Sequence, residues 1–307
     1  VSAADWRLNH LLFGEYYCPF LADLIREVEP GYWEAPERIR ARDPAALEAS
    51  VRRDLESGLP PCAVVAPVGT TSSTAIDPLG PIAAVCRRHR LWLHVDAALA
   101  GSAAILPEKR YILDGIEGAD SFVFNPHKWL LTNFDCSAYF CRDPELLSAT
   151  FTLTPEYLKT DLDRQVTNYR DWGIQLGRRF RALKLWFVLR SYGREGLQAL
   201  LREHLALARE FRGWIEDSPD FEVLAPTPLN TVCFRYRPAG GAADDPATLD
   251  RLNKTLLDTV NRDGTIFLSH TKLSGRFCLR LSVGQTRTRR EHVLRAWEML
   301  QATARRK

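Results

Sequence analysis

The hydrophobic residues of this chain follow two patterns from Asp43 onward. Short apolar runs predict buried strands, and segments with an apolar residue every three or four positions predict helices with one buried face. Apolar strands that alternate with helices predict an α/β fold with a mainly parallel sheet covered on both faces. Strands are predicted at residues 62–68, 91–95, 121–124 and 136–141, and capped helices are predicted to begin at Asp43-Pro44 and Asp77-Pro78.

The second half of the chain follows a different pattern. Residues 143–175 are polar and show no sustained period, and so long a stretch inside a compact domain is usually functional or disordered. We therefore divide the chain near residue 185, into a large domain of residues 1–185 and a small α+β domain of residues 186–307. The small domain is predicted to contain a long helix after Phe180, strands at residues 231–236 and 277–283, and a last helix behind a Thr288–Glu291 capping box.

Composition narrows the class of protein. The 307 residues are 46% hydrophobic, which is enough for one large or two modest domains. The 41 basic and 38 acidic residues leave a net charge of +3, so neither a nucleic acid nor an anionic membrane is an expected partner. No apolar run approaches the ~20 residues that span a bilayer, and no signal peptide is recognised. The seven cysteines are scattered without a CxxC pair, which favours reduced thiols in a cytoplasmic protein without a metal site.

Candidate chemistry centres on Lys128, in the stretch FNPHKW at residues 124–129. This lysine follows an apolar strand on a proline-containing turn and precedes an apolar run. Most single lysines are solvated surface charges, but apolar neighbours on both sides disfavour the ammonium form and favour a neutral nucleophile. A neutral lysine forms a Schiff base with an aldehyde, and pyridoxal phosphate (PLP) is a cofactor that is held in this way.

Asp96 is the candidate for a second group that PLP needs, a carboxylate at its pyridine nitrogen. It follows the predicted strand at residues 91–95, and ligands of open α/β sheets bind at the carboxyl ends of the strands. The two residues after it, Ala97 and Ala98, are small enough for a flat ring to lie against the backbone. In isolation, a helix cap or a turn is the more common explanation of such an aspartate.

Three further polar residues lie near these two in the sequence. Thr71 follows another predicted strand, but hydroxyl groups are common in turns. Asn125 and His127 flank the turn before Lys128. One explanation is that their hydrogen-bond donors bind an anionic group, either a phosphate or a substrate carboxylate. The other is that they only satisfy backbone groups of the turn, and residue chemistry leaves both explanations open.

Three segments together resemble the group II PLP-dependent decarboxylases, and most closely the aromatic-L-amino-acid decarboxylase family. They are VVAPVGTTSS, LWLHVDAALAGSA and FNPHKWLLTNFDCSAYF. The separation of Asp96 and Lys128 (128 − 96 = 32) is also similar to that family. The likeness continues through GRRFRALKLWFVLRSYG to RFCLRLSVGQTRTRREHVLRAWEML near the C-terminus. The resemblance implies a fold-type-I PLP-dependent transferase-like large domain and PLP as the cofactor.

The resemblance also implies roles for single residues. Lys128 would bind the aldehyde of the cofactor, Asp96 would pair with its pyridine nitrogen, and Ala98 would lie against its ring. The other cofactor-binding residues would be Thr71, Asn125 and His127, the last two near the phosphate, and His127 would count as catalytic as well.

Two more residues matter for substrate and product. Residues 154–159 resemble the mobile catalytic loop of the family, in which Tyr157 would return a proton to the substrate after carbon dioxide leaves. Relatives with phenylalanine there tend toward aldehyde formation, so Tyr157 favours plain decarboxylation to an amine. Gly177 matches the small residue that accompanies aromatic amino-acid substrates.

The resemblance has limits that keep alternatives open. Residues 1–42 show no likeness to the family, whose members carry further residues before the matched part, so a truncated or diverged beginning is expected. A folded but catalytically silent interaction partner is therefore one alternative. An aminotransferase is another, with Arg280 as a candidate for binding the substrate carboxylate. The family also implies a homodimer, and the aromatic residues of the first 42 positions fit a surface that a partner covers.

Overall fold

Two four-stranded sheets organise the protein in a computed structural model, which describes residues 43–152, 166–238 and 245–305. The first sheet has the order β1-β2-β3-β4, and its first three strands run parallel. Strand β4 pairs antiparallel with β3, with Phe122 opposite Phe140. The predicted mainly parallel sheet is confirmed, with one antiparallel strand at its edge. The strands are β1 (Ala63–Pro67), β2 (Trp92–Asp96), β3 (Ser121–Phe124) and β4 (Ala138–Cys141).

Helices α1 (Pro44–Glu56) and α2 (Leu79–His89) follow the predicted pattern. Asp43 caps α1 by accepting a hydrogen bond from the Ala45 amide at 2.9 Å, as the sequence predicts. Helix α2 begins behind Pro78 without a side-chain cap, so the predicted Asp77 cap is wrong. Three short 3₁₀ helices, which the hydrophobic pattern did not predict, connect β2 to β3 (Ala100–Ile105, Pro107–Leu113 and Ile116–Gly118).

The segment predicted to be irregular contains more structure than its polarity suggested. The short helix α3 (Pro126–Trp129) lies before this segment, and helix α4 (Pro144–Phe151) lies at its start. A 3₁₀ turn at Tyr169–Trp172 lies near its end. Asp143 caps α4 by accepting hydrogen bonds from two backbone amides, the same Asp-Pro start as in α1. A helix of two turns is too short to show a hydrophobic period, which is why the pattern missed it.

Helix α5 (Arg181–Glu216) joins the two halves of the chain. It is interrupted at Gly193, whose φ of 63° and ψ of 175° suit glycine. Leu201 and Leu205 pack in the core beneath the first sheet, whereas Phe211 and Ile215 pack in the second core. The division near residue 185 falls inside this helix and stays a prediction.

The second sheet is antiparallel throughout, in the order β5-β6-β8-β7. Its strands are β5 (Phe221–Val223), β6 (Thr231–Tyr236), β7 (Ser269–Leu273) and β8 (Arg276–Ser282), and it packs against α6 (Pro246–Asp263) and α7 (Arg290–Ala304). The predicted α+β character of this part is confirmed. The last helix is capped at Arg289, one residue later than the predicted Thr288. There His292 Nδ1 accepts a hydrogen bond from the Arg289 amide. None of the helices in the described ranges is both long enough and apolar enough to cross a bilayer.

Candidate active site

The carboxyl ends of β1, β2 and β3 meet at one edge of the first sheet. Asp96, the last residue of β2, is in register with Pro67 on one side and Val123 on the other. The chain leaving each strand is held to its neighbour, since Val68 donates to the Asp96 carbonyl (2.8 Å) and Ala97 donates to the Val123 carbonyl (3.0 Å). Polar residues that follow these strands therefore come together in space, as expected at this edge of a parallel sheet.

Asp96 is oriented by its own turn. Its Oδ1 accepts a hydrogen bond from the Ala98 amide at 2.9 Å, so one carboxylate oxygen has the local turn role that an isolated aspartate usually has. The side chain is only partly buried, while Ala97 and Ala98 are buried beside it. The carboxylate thus has a fixed direction and small neighbours, as the sequence analysis required.

Lys128 is tied by the backbone to the same turn. The Asn125 amide donates to the Ala98 carbonyl (2.9 Å), and the Lys128 amide donates to the Asn125 carbonyl (2.9 Å). Two consecutive hydrogen bonds therefore connect the lysine, on α3, to the residue two positions after Asp96. The structure brings the two most important predicted residues to one place.

Asn125 and His127 stabilise the turn that carries the lysine. The buried Asn125 accepts a hydrogen bond from the Ser137 hydroxyl at 2.6 Å through its Oδ1. His127 Nδ1 lies 2.8 Å from the carbonyl oxygen and 3.0 Å from the amide nitrogen of Cys136, and burial lowers the pKa of this histidine. These contacts match the turn-stabilising explanation, and the phosphate role of both residues stays a prediction.

Thr71 lies on the loop after β1, which approaches the rest of the sheet closely. Gly69 has a φ of 84°, and a Cβ atom there would come within 2.5 Å of the Ala100 Cβ, so only glycine fits. Thr70 accepts a hydrogen bond from the Ala75 amide at 3.0 Å and closes the loop. The side chain of Thr71 itself is exposed.

The second sheet holds this loop in place through Arg280. Its guanidinium donates to the carbonyls of Thr71 (2.5 Å) and Ser72 (2.7 Å) and to the Ser269 hydroxyl (3.0 Å). Cys233 adds a thiol contact to the Ser72 carbonyl at 3.2 Å. Arg280, which the sequence suggested for a substrate carboxylate, is in this structure engaged with the loop that carries Thr71.

A charged cluster that the sequence analysis missed lies beyond the lysine. Asp135 forms salt bridges with Arg179 and with Arg181 (3.0 Å), and Lys184 donates to the Asp135 carbonyl at 2.7 Å. Burial alone would raise the pKa of Asp135, but the hydrogen bond from Arg181 and the nearby positive charges lower it. The only sequence signal was the density of basic residues at positions 178–184.

Two further predicted residues remain. Tyr157 lies outside the described residues. Gly177 is exposed, and a Cβ atom there would have no neighbour within 4 Å among the described residues. Its role in a substrate pocket stays a prediction.

The side chains at this edge have the chemistry that PLP needs. A residue with a primary amine and one with a carboxylate lie on two turns joined through the Ala98 backbone, and the neighbouring alanines are small. The carboxylate suits a protonated ring nitrogen, and the amine suits an aldehyde. The residues present therefore fit this cofactor.

Comparisons with known proteins identify the family. Residues 31–237 match the model of the pyridoxal-dependent decarboxylase conserved domain, so the match includes residues 31–42, where no likeness was seen in the sequence analysis. The chain is 46% identical over 263 residues to phenylacetaldehyde synthase from Arabidopsis thaliana, covering 85% of this chain and 53% of the relative. It is 44% identical to tryptophan decarboxylase TDC1 from Camptotheca acuminata, covering 85% of this chain and 52% of the relative.

A solved structure agrees with these relatives. The crystal structure of Oryza sativa TDC with PLP and tryptamine is 43% identical, with a TM-score of 0.83, and the match covers 86% of this chain and 55% of that one. The predicted fold class, the predicted resemblance and the predicted cofactor are confirmed by these matches. The chain spans about half the length of the curated relatives it matches.

Proposed function

We propose that this chain, which belongs to the pyridoxal-dependent decarboxylase family, takes part in the decarboxylation of an aromatic L-amino acid to the corresponding amine and carbon dioxide. The observation that carries the proposal is the pair of hydrogen bonds that ties the turn of Lys128 to the turn of Asp96. Relatives at 44% identity named tryptophan decarboxylase and tyrosine decarboxylase support the reaction and the aromatic substrate class.

PLP, when bound, supplies an electron-withdrawing ring that stabilises the negative charge left behind as carbon dioxide departs. Lys128 would hold the cofactor through its amine, and Asp96 would keep a proton on the ring nitrogen. Ala98 would lie against the ring, since it is buried next to the carboxylate. The residues proposed to lie around the cofactor and its phosphate are Thr71, Asn125 and His127.

Tyr157 is proposed to deliver the proton to the substrate α-carbon, and Gly177 to line the pocket for the aromatic side chain. Both assignments depend on the resemblance alone. A second candidate reaction is aldehyde formation, because relatives named phenylacetaldehyde synthase match this chain at 46% and 42% identity. The tyrosine at position 157 favours the amine as the product.

We also propose that the working protein is a homodimer. The start of α5 exposes large apolar side chains that a soluble monomer rarely leaves uncovered, among them Trp186 (52% exposed) and Phe187 (56% exposed). Phe180 precedes them and is 75% exposed. A second copy of the chain is the proposed cover, and sedimentation at increasing concentration tests it; a monomer at all concentrations would contradict the dimer.

A cytoplasmic location is the remaining proposal about the whole protein. The six cysteines in the described ranges all carry free thiols, and free thiols persist in reducing compartments. Tagged protein followed by cell fractionation tests this proposal.

The central test is covalent capture of the cofactor. The purified chain is incubated with PLP, reduced with borohydride and digested, and the labelled peptide should contain Lys128. Lys128→Ala should abolish the visible absorbance of bound PLP. Lys109→Ala is the matched control, because Lys109 is a partly buried lysine that donates to the Pro228 carbonyl, away from the site. Label that persists in Lys128→Ala would refute the assignment.

Substrate and product are tested with the same preparation. Incubation with L-tryptophan and L-tyrosine should release amine and carbon dioxide, detected by chromatography and by trapped carbon dioxide. An aldehyde product would favour the second reaction. PLP uptake without any turnover of aromatic amino acids would instead favour the catalytically silent alternative.

A further inference from the structure

A line of three hydrogen-bonded residues, two of them fully buried, begins at the residue after Lys128. Trp129 is fully buried, and its indole Nε1 donates to Nδ1 of His204 on α5 at 3.1 Å. His204 is also fully buried, and its Nε2 lies 3.2 Å from the Gln285 carbonyl oxygen. An indole N–H only donates, so Nδ1 must accept, and the proton of a neutral His204 sits on Nε2 and is donated to Gln285.

This line connects the lysine-bearing turn to elements outside the first sheet. His204 belongs to α5, and Gln285 follows β8 of the second sheet. The neighbouring Gly284 also lies against Trp129, since a Cβ atom built there would be 3.9 Å from the indole Cδ1. Trp129 is therefore fixed by a polar contact at its nitrogen and by packing on its ring.

The backbone after the tryptophan gives a second reason to regard this turn as held from outside. Leu131 has a φ of 60°, a region that a leucine rarely adopts. Such a conformation persists only where the surrounding structure fixes it. Lys128 and Trp129 are adjacent in α3, so the contacts that fix the tryptophan also constrain the backbone that carries the lysine.

We propose that His204 is a positioning residue for Lys128: by accepting from Trp129 it sets the direction of α3 and hence the reach of the lysine amine toward the cofactor, while the bond to Gln285 fixes the tautomer that can accept. The proposal extends the proposed function to a residue that lies 75 positions from Trp129 in the sequence. Burial lowers the pKa of His204, which keeps the ring in the neutral form that can accept.

Two amide substitutions separate the two hydrogen bonds of the imidazole. In His204→Asn the short side chain places its amide oxygen near the position of Nδ1, where it accepts from Trp129. In His204→Gln the longer side chain places its amide near Nε2, so the bond to Gln285 is kept and the acceptor for Trp129 is lost. Trp129→Phe removes the donor while keeping an aromatic ring.

The first measurement needs no cofactor. Lys128 is methylated with formaldehyde and cyanoborohydride in the full chain, and the rate is read by peptide mass spectrometry relative to Lys109 in the same sample. His204→Gln and Trp129→Phe should methylate Lys128 several-fold faster, because the loosened turn opens more often. His204→Asn should methylate at close to the wild-type rate.

The second measurement is PLP uptake, taken as the fraction of chain reduced onto Lys128 across a PLP titration. His204→Gln and Trp129→Phe should need about tenfold more PLP, as expected when a buried hydrogen-bonding group loses its partner. The double variant His204→Gln/Trp129→Phe should need no more PLP than either single variant, because the two substitutions break the same hydrogen bond. His204→Asn should stay within about threefold of wild type.

A matched control separates positioning from general loss of stability. Asn253 is fully buried in the second half and bonds to the backbone of Tyr236. Asn253→Ala should lower the melting temperature without changing either measurement at Lys128. Equal effects of Asn253→Ala and His204→Gln, or wild-type values for His204→Gln, would overturn the proposal. If the wild-type chain takes up no PLP, the proposed function fails, and the methylation rates alone decide the role of His204.

Discussion

The first sheet directs three parallel strands toward one edge, where Asp96 and the turn of Lys128 lie. In the second half, polar residues of α6 instead bond to the backbone around the second sheet. Asn253 bonds to both the amide (2.7 Å) and the carbonyl (2.8 Å) of Tyr236, and Asn261 does the same for Leu268 (2.8 and 2.9 Å). The difference shows a division of labour. The first sheet presents the groups proposed to react, and the second half is mainly a structural unit.

The second half of the chain nevertheless reaches the site through a few long contacts, from strands of the second sheet and from α5. Arg280 bonds to the loop of Thr71, Ser72 bonds to Thr271 of β7 at 2.9 Å, and His204 bonds to Trp129. Each contact holds a loop or turn of the first sheet from outside. The second half therefore helps to hold the loops of the proposed site, and the first half carries the amine and the carboxylate.

The largest expected effect concerns the independence of the two halves. Phe234 is fully buried in the second core, 5.3 Å from the ring of Phe211, so Phe234→Ala should cost about 3–5 kcal/mol of unfolding free energy. Ile82→Ala is the matched change in the first core, where Ile82 is also fully buried. If the chain divides near residue 185, calorimetry should show two unfolding transitions. Each variant should then lower the midpoint temperature of a different one. One shared transition, lowered by both, would contradict that division.

The next effect concerns the chemistry of the first sheet. Asp96→Asn keeps an oxygen that can accept from the Ala98 amide but loses the negative charge. Amine formation should fall about 100-fold or more, because an electrostatic partner of the reaction is removed, while PLP still attaches to Lys128.

Asp120→Asn provides the control for that prediction. Asp120 accepts from the Leu93 amide at 2.8 Å, near the opposite end of β2, and it also keeps an acceptor oxygen when changed to asparagine. Turnover by Asp120→Asn should match wild type. If both variants lose activity to the same extent, the role of Asp96 is structural.

The smallest effect concerns the pH dependence of stability. His94 lies two residues before Asp96, bonds to the Ser121 hydroxyl at 2.8 Å and is buried, which lowers its pKa to about 4. In the unfolded chain the His94 imidazole binds a proton near pH 6.5, whereas in the folded chain it does so only near pH 4. The free energy of unfolding therefore falls as the pH drops from about 6.5 to about 4. The loss between pH 7 and pH 5 should be about 2 kcal/mol.

Urea denaturation at the two pH values measures this loss. His94→Gln cannot titrate, so its midpoint should fall less between pH 7 and pH 5 than the wild-type midpoint. Other buried histidines, such as His204, contribute equally to both proteins and cancel in the comparison. An equal fall in both proteins would exclude His94 as the cause.

Local patterns predicted much of the fold and suggested the central pair of the proposed site. The strands of the first sheet, α1 and the long α5 follow from apolar periods and Asp-Pro starts that only near neighbours influence. The same patterns missed α4 and the 3₁₀ helices, because elements of one or two turns carry no measurable period. The longer α6 and the strands β5 and β7 were not predicted either, and the cap of α2 was placed at Asp77 instead of Pro78. Asp96 and Lys128 were proposed because one ends a strand and the other lies on the turn that follows the next strand, and parallel strands bring such positions together.

The sequence by itself determined which chemical groups are available, namely an amine and a carboxylate near the carboxyl ends of two parallel strands. It also determined a family likeness that extends over most of the chain. Only the tertiary structure decided what holds them. Arg280 is 209 residues from Thr71, and His204 is 75 residues from Trp129. Contacts so distant in sequence form only when separate elements pack together, and no local period or turn rule encodes which buried donor meets which acceptor.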